Sequence, residues 1–498
     1  EMLWEEPDDL YWVGITKTLD EKFLIVEASS KETSECWFLD LTEPNSKLQC
    51  VATRRLKVEY DVEHRLGQWF IRTNLGGTPN MRLMVSPAKA NSQDEWTDVV
   101  VAGGEKCFSG DKDRALSSVA AFQSHLVAQG REGGIPRVWF LLPSESSPEE
   151  MKDMTMLEFD EATHDVGVSS NYEFKTDSIL VAYDSLITPL SHYEISLADP
   201  SQRTTIKVKN VPGYEKELYD CERITVTARD GETQIPVSLV YRKDVMKTYA
   251  ESGKTLPTHL YGYGSYGSCI EDDFRSTRLA LLNRGMVYVI AHIRGGGENG
   301  RHWYEEPSGA KYMCKKNTFN DFCDVASWLC HDKKLATPEQ LSCEGRSAGG
   351  LLIGASINQR PELFKVAVLG VPFVDVVATM TDATIPLTAT EWEEWGNPNE
   401  EKFHQYMVEY CPMLNIRDGA VYPSCLITGG LHDPRVQFWE PAKYAAKLRH
   451  HMGAESGKVC LKMDMAAGHF SASDRYKYLR ELAFDYAFLL DQMGIADS

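Results

Sequence analysis

Four stretches of this chain repeat one design: a short apolar run, a polar turn and a second apolar run. They occupy residues 22–27 with 35–41, 68–73 with 81–86, 124–129 with 137–142, and 178–183 with 191–197. Successive starts are 46, 56 and 54 residues apart. Units made only of strands, recurring at that period, read as blades of a β-propeller rather than as a plain β-sandwich. Two acidic stretches between the runs, 59–64 and 157–161, read as solvated turns. Neither has the His/Asp company of a metal site.

From residue 218 the pattern changes. Residues 223–230 and 235–241 form a hairpin around Asp230-Gly231-Glu232. Apolar strands then alternate with helical segments: strands at 258–263, 286–292, 365–370, 424–428 and 459–463, helices at 318–329, 351–359 and 441–451, and a last helix ending near Met493. That alternation predicts a doubly wound α/β domain, with functional loops at the carboxyl ends of its strands. The expected organisation is therefore a partial β-propeller of four to five blades over 1–217 and an α/β-hydrolase domain over 218–498.

One motif in the second half carries chemistry. Gly345-Arg-Ser347-Ala-Gly349-Gly350 lies between an apolar segment and the helix 351–359. A nucleophile elbow needs that context: a strand ends, a tight turn lifts the serine, and a helix begins. Glycines are required because backbone and side chains crowd such a turn. Alone the motif is weak, since glycine is about 7% of average residues. Two residues nearer the C-terminus give it force. Asp433 comes after the strand 424–428, in Leu431-His-Asp-Pro-Arg435, and His469 after the strand 459–463, in Ala467-Gly-His-Phe470. The order Ser347, Asp433, His469 is that of an α/β-hydrolase triad. His469 would be the general base and Asp433 its orienting partner. His450 and His451 fall in a helix and read as surface residues, and Asp464 lies on the strand leading to His469, so its reach is wrong. The N–H of Ala348 is the expected first oxyanion donor. A second donor must come from another loop. The stretch Tyr261-Gly-Tyr263-Gly-Ser-Tyr-Gly267 is a candidate, although by its residues alone it reads as a structural turn with aromatic packing.

Charge and cysteines narrow the partners. A formal charge of −21 argues against nucleic acid or an anionic membrane surface and is compatible with cationic ligands. Twelve cysteines are scattered singly, with no zinc-type spacing; Cys323 and Cys330 lie seven apart in a helical stretch. Reduced thiols in the cytosol are the expectation for such usage. No apolar run is long enough to cross a membrane as a helix. The chain opens Glu1-Met2, which reads as a processed protein or a fragment.

Taken together, the stretches 261–267, His292-Ile-Arg-Gly-Gly-Gly-Glu298, Lys316-Asn-Thr-Phe-Asn-Asp321, 345–350, Val371-Pro-Phe-Val-Asp375, Glu394-Trp-Gly-Asn-Pro398 and 431–433 resemble the oligopeptidase B group of the prolyl oligopeptidase family of serine peptidases. The resemblance runs across residues 221–498. It implies a hydrolase domain capped by a propeller that screens out large proteins, and cleavage of short peptides after Arg or Lys. It places Ser347, Asp433 and His469 on the family triad and Tyr263 on the oxyanion tyrosine. It places Glu391 and Glu393 on the carboxylates that hold a basic P1 side chain. Glu271 and Asp273 fall on acidic positions associated with a basic P2 residue, and Arg435 on the arginine that holds substrate backbone. A guanidinium entering a pocket loses hydration, and only charge-assisted carboxylate bonds restore it. By their residues alone, Glu391–Glu394 also read as a solvated helix start.

The family's full propeller and its N-terminal wrapping segment exceed what precedes the hydrolase domain here, so the chain reads as N-terminally shortened. The expectation is a cytosolic serine endopeptidase acting on short basic peptides through an acyl-enzyme, with no metal or organic cofactor. A post-proline peptidase, an acylaminoacyl peptidase, an esterase and an inactive truncated scaffold are the alternatives.

Overall fold

The structure is a computed structural model that describes residues 3–88, 92–111, 114–470 and 474–495. It divides into two compact units, one of residues 1–210 with 299–302, the other of residues 211–298 with 303–498.

The first unit contains four sheets, taken in chain order, antiparallel except that Val100–Val101 runs parallel to Glu150–Met156 at the edge of the third. The paired apolar runs are the central strands of these sheets: Phe23–Ser29 with Ser34–Asp40, Gln68–Thr73 with Arg82–Pro87, Leu126–Glu132 with Ile135–Pro143, and Ser178–Asp184 with Ser191–Ser196. In the second and third sheets they read as unbroken apolar runs because both faces are covered, whereas the first and fourth sheets each bury one face in these cores. In the second sheet Trp69 and Ile71 belong to a core shared with Phe23, Ile25 and Phe38 of the first, while Phe70 belongs to a core shared with Leu126 and Trp139 of the third. In the third sheet Val138 and Phe140 point the other way, toward Ile179 and Val181 of the fourth. The period of two thus fills alternate cores.

One expectation fails here. The acidic stretch 59–64 is not a turn: Tyr60–Arg65 is a strand pairing antiparallel with Gln68–Thr73. Tyr60 and His64 are buried on one face, and His64 is paired to Asp20 at 2.7 Å. Asp61 and Glu63 alternate onto the other face, so three acids in six residues hide an ordinary strand period.

The second unit is built on an eight-stranded sheet. Its spatial order is Tyr219–Thr227, Gln234–Arg242, Val287–Ala291, Thr258–Tyr261, Leu341–Arg346, Val366–Gly370, Ser424–Gly430 and Val459–Asp464. The first two strands are antiparallel to their neighbours, and the other six run parallel. Helices Lys316–Ser327, Ala348–Gln359, Trp439–His451 and Arg475–Met493 connect or follow the parallel strands. Three further helices, Val376–Thr381, Thr388–Trp395 and Glu401–Tyr410, form an insertion after Val366–Gly370. The chain direction places the carboxyl ends of the last four strands, and the loops that bear Ser347, Asp433 and His469, at one edge of the parallel sheet. Among the described residues no helix is long and apolar enough to cross a membrane.

Candidate active site

The strand Leu341–Arg346 ends at Ser347, and the helix Ala348–Gln359 begins at the next residue. Ser347 has φ 58° and ψ −119°, a conformation L-residues rarely adopt. Its surroundings hold it there. Its N–H donates to Gly370 O at 2.8 Å, and its carbonyl accepts from Gly350 and Phe373 at 2.8 and 3.1 Å. The motif glycines are needed for space. A Cβ on Gly345 would stand 2.2 Å from the carbonyl oxygen of Gly349, and one on Gly350 would stand 2.4 Å from Cα of Pro372. One on Gly349 would meet Gly262 O at 3.1 Å and the Tyr263 ring at 3.2 Å. Gly349 is therefore where the elbow and the glycine-rich loop touch.

Three predicted residues come together. His469 Nδ1 lies 2.7 Å from Asp433 Oδ2, and His469 Nε2 lies 3.0 Å from Ser347 Oγ. Asp433 is buried, and its other oxygen, Oδ1, accepts the N–H groups of Arg435 and Val436 at 2.8 and 3.0 Å. One carboxylate oxygen is thus spent on shaping its own loop, which leaves the second to orient the imidazole. Asp464 has a different task. It accepts the N–H groups of Ala466 and Ala467 and pairs with Lys477 at 2.8 Å. The Lys477 contact and the Ala466 N–H hold its carboxyl down to about 2. It shapes the turn that carries His469. His451 pairs with Asp418 at the end of its helix, away from the triad.

Ala348 opens its helix, so its N–H has no intrahelical acceptor and is available to a ligand oxygen. Tyr263 and Ser347 line one cavity of about 480 Å³, together with Tyr261, Arg346, Arg435 and His469. Among the described residues the Tyr263 hydroxyl makes no hydrogen bond. Burial, followed by the charge of Glu394, raises its pKa well above the ordinary tyrosine value, so the phenol stays protonated and is a hydrogen-bond donor at neutral pH. Arg435 is exposed, with its guanidinium 5.3 Å from the Phe470 ring centroid.

The predicted acidic residues are less uniform. Glu391 and Glu393 are half-buried on the helix Thr388–Trp395. Residues two apart on a helix point about 200° apart, whereas residues three apart share a face. Glu391 accordingly groups with Glu394 around Tyr266: Glu391 accepts the Tyr266 hydroxyl at 2.8 Å and Trp395 Nε1 at 3.2 Å, and Glu394 accepts the Tyr266 N–H at 2.9 Å. Glu393 stands on the face opposite Glu391 and has no hydrogen-bond partner among the described residues. Asp273 is already engaged by Arg275 and Arg278, at 2.9 and 3.1 Å, while Glu271 is half-buried beside the buried Asp272. None of these acids lines the 480 Å³ cavity.

Two residues to which the sequence gives no role lie beneath the Tyr263 loop. Lys315 and Glu394 are both buried. Each is half of a like-charged pair, Lys315-Lys316 and Glu393-Glu394, which reads as solvated surface in a linear chain. Among the described residues no cluster of His, Cys, Asp or Glu could hold a metal ion.

Comparison with known proteins places both parts of the chain. Residues 272–496 match the model of the prolyl oligopeptidase family, and residues 1–208 match that of the prolyl oligopeptidase N-terminal β-propeller domain. Dipeptidyl aminopeptidase BI of Pseudoxanthomonas mexicana is 39% identical over 99% of this chain and 65% of its own length. Protease 2 of Moraxella lacunata is 38% identical over 99% of this chain and 67% of its own. The chain thus spans about two-thirds of the length of these relatives. The structure of oligopeptidase B from Trypanosoma brucei with covalently bound antipain, in a closed form, superposes with a TM-score of 0.89 at 43% identity, covering 99% of this chain and 67% of that one. With both of its domains matched in order and its relatives aligned along nearly its whole length, the chain belongs to the prolyl oligopeptidase family.

Proposed function

We propose that this chain is the bulk of a serine endopeptidase that cleaves short peptides on the carboxyl side of Arg or Lys through an acyl-enzyme. The observation that carries the reading is the linear contact from Asp433 to His469 to Ser347, at 2.7 and 3.0 Å, on a strained elbow. In this reading His469 Nε2 takes the Ser347 proton as Oγ attacks the peptide carbonyl. The carbonyl oxygen gains negative charge, which the Ala348 N–H and the Tyr263 hydroxyl receive; each such donor is worth about 10²–10³ in rate. The imidazolium then protonates the leaving amine and the C–N bond breaks. A water, deprotonated by His469, releases the acyl group and restores Ser347.

Preference for a basic P1 residue draws on Glu391 and Glu393, with Arg435 toward substrate backbone and Glu271 and Asp273 toward a basic P2 residue. Support comes from the formal charge of −21 and from the similarity to protease 2 and oligopeptidase B. Twelve cysteines scattered singly along the chain fit a reducing, cytosolic compartment.

Labelling by a fluorophosphonate probe, lost in Ser347→Ala, tests the nucleophile. Side-by-side arginyl, prolyl and acetyl-amino-acid reporters test specificity, and preference for the prolyl reporter would refute it. The name of the Pseudoxanthomonas relative favours a second reading, release of dipeptides from a free N-terminus. Cleavage of N-blocked arginyl substrates at undiminished rate excludes that reading.

A further inference from the structure

The loop that carries Tyr263 is an unusual piece of backbone. Gly264 has φ +72° and Tyr266 φ +62°, two left-handed residues within three positions, the second of them bulky. Backbone bonds hold its two ends, Gly262 N–H to Glu344 O at 3.3 Å and Gly267 N–H to Gly295 O at 3.0 Å, and the Thr318 hydroxyl lies 3.2 Å from the Gly264 carbonyl. Between those ends the loop also rests on two buried charges of opposite sign. The Lys315 ammonium donates to the Gly264 carbonyl at 2.6 Å and to Ser265 Oγ at 2.8 Å, and sits 5.0 Å from the Trp395 ring centroid. Two hydrogen bonds and an aromatic face account for all three of its N–H directions. On the other side Glu394 accepts the Tyr266 N–H at 2.9 Å through one oxygen and the Tyr304 hydroxyl through the other. The cation thus takes the carbonyl before Ser265, and the anion takes the amide after it.

This arrangement is costly as a stabilising device. Lys315 is 1% exposed, and among the described residues no carboxylate lies within ion-pair distance of it. Burial drives its acidity from the usual lysine value to about 8, opposed by the more distant charge of Glu394. A buried ion without a direct partner contributes little to stability, and well-packed apolar residues often serve as well. What it does supply is a fixed carbonyl position in a loop that has no ladder to hold it.

Among the described residues the Tyr263 hydroxyl makes no hydrogen bond, so its place is set by the ring's packing on Gly349 and by the backbone behind it. We propose that Lys315 and Glu394 are positioning residues for the oxyanion step: by gripping Gly264 and Tyr266 from opposite sides, they fix where the Tyr263 hydroxyl stands relative to Ser347. The proposal rests on the acyl-transfer reading of Ser347. A misplacement of about 1 Å in such a group costs up to about 10²-fold in rate. Neither residue reaches the cavity beside Ser347, but the Tyr266 hydroxyl donates to Glu391, so binding is judged on the neutral ester, which makes no use of that carboxylate.

The test is a double-mutant cycle on the full chain, read with an arginyl reporter and a small neutral ester in parallel. Lys315→Met is expected to lower kcat by about tenfold or more on both, with KM for the neutral ester within about twofold. In a Tyr263→Phe background the same change should have no further effect, because its target is gone. Glu394→Ala should behave like Lys315→Met, and Glu394→Gln, which keeps an acceptor for the Tyr266 N–H, should lose less. Should Lys315→Met fail to fold, the Glu394 pair run in both backgrounds decides the question. Losses that multiply with Tyr263→Phe, a wild-type kcat, or an ester KM rising in step with the loss of kcat would each overturn the proposal. Ester hydrolysis without arginyl cleavage would sink the substrate assignment alone and leave the cycle readable. Arginyl cleavage with multiplying losses would sink the positioning pair alone.

Discussion

Asp433→Asn is the sharpest test of the triad, because the structure dictates which way the new amide must face. Asp433 Oδ1 accepts two backbone N–H groups, from Arg435 and Val436, while Oδ2 faces His469 Nδ1. An asparagine has one acceptor oxygen, and two buried donors claim it. Its NH₂ then points at Nδ1, which must become an acceptor, and the ring proton moves to Nε2. In that tautomer His469 cannot take the proton of Ser347. The opposite flip restores the tautomer but sets the NH₂ against the two backbone donors, at about 1–3 kcal/mol for each group left unsatisfied. Two such groups amount to about 2–6 kcal/mol, and each 1.36 kcal/mol is about tenfold. The expected fall in kcat therefore runs from about 30-fold to above 10⁴-fold, and the side-chain shape is unchanged, so the melting temperature should barely move. Steady-state kinetics at pH 7, with the fluorophosphonate labelling rate as a second readout, measure it. A variant within about threefold of wild type in both would refute the assignment of Asp433 as the group that orients His469.

Other outcomes rest on single contacts. Glu391→Gln should raise KM for arginyl substrates sharply while ester hydrolysis stays near wild type; an equal fall in both would make the residue structural. Gly350→Ala places a Cβ 2.4 Å from the Pro372 backbone, too close to accommodate without movement, and should cost about 1–3 kcal/mol, seen as a lower midpoint in denaturant. The Asp464 carboxyl is held down to about 2 by Lys477 and the Ala466 N–H. A depressed acid stabilises the fold above its unfolded value of about 3.9, and that contribution is lost as pH falls toward 2. Asp464→Asn should therefore flatten the loss of stability between about pH 4 and pH 2 in thermal melts; an unaltered acid limb would show that the pair contributes nothing.

Local periodicity was enough for much of this molecule. The apolar runs at 68–73 and 124–129 announce strands because both faces of each are buried, and such burial writes itself into consecutive residues. Gly345-x-Ser347-x-Gly349 announces a crowded turn, because only glycine leaves the required space. The order of Ser347, Asp433 and His469 is readable for the same reason: each comes after a recognisable strand. Tertiary structure decided the rest. Ser347 and His469 meet across 122 positions, and no local pattern encodes their separation in space. Tyr60–Arg65 hides as an acidic turn because its partners lie in neighbouring strands. Helix rotation, visible only once the ends of Thr388–Trp395 are known, puts Glu391 with Glu394 instead of Glu393. Lys315 and Glu394 look like solvent-facing charges in the linear chain, and only the packing of the Tyr263 loop between them shows that water is gone. A residue's type and spacing record how it sits on its own element; whether its charge faces solvent or another segment is a property of the assembled fold.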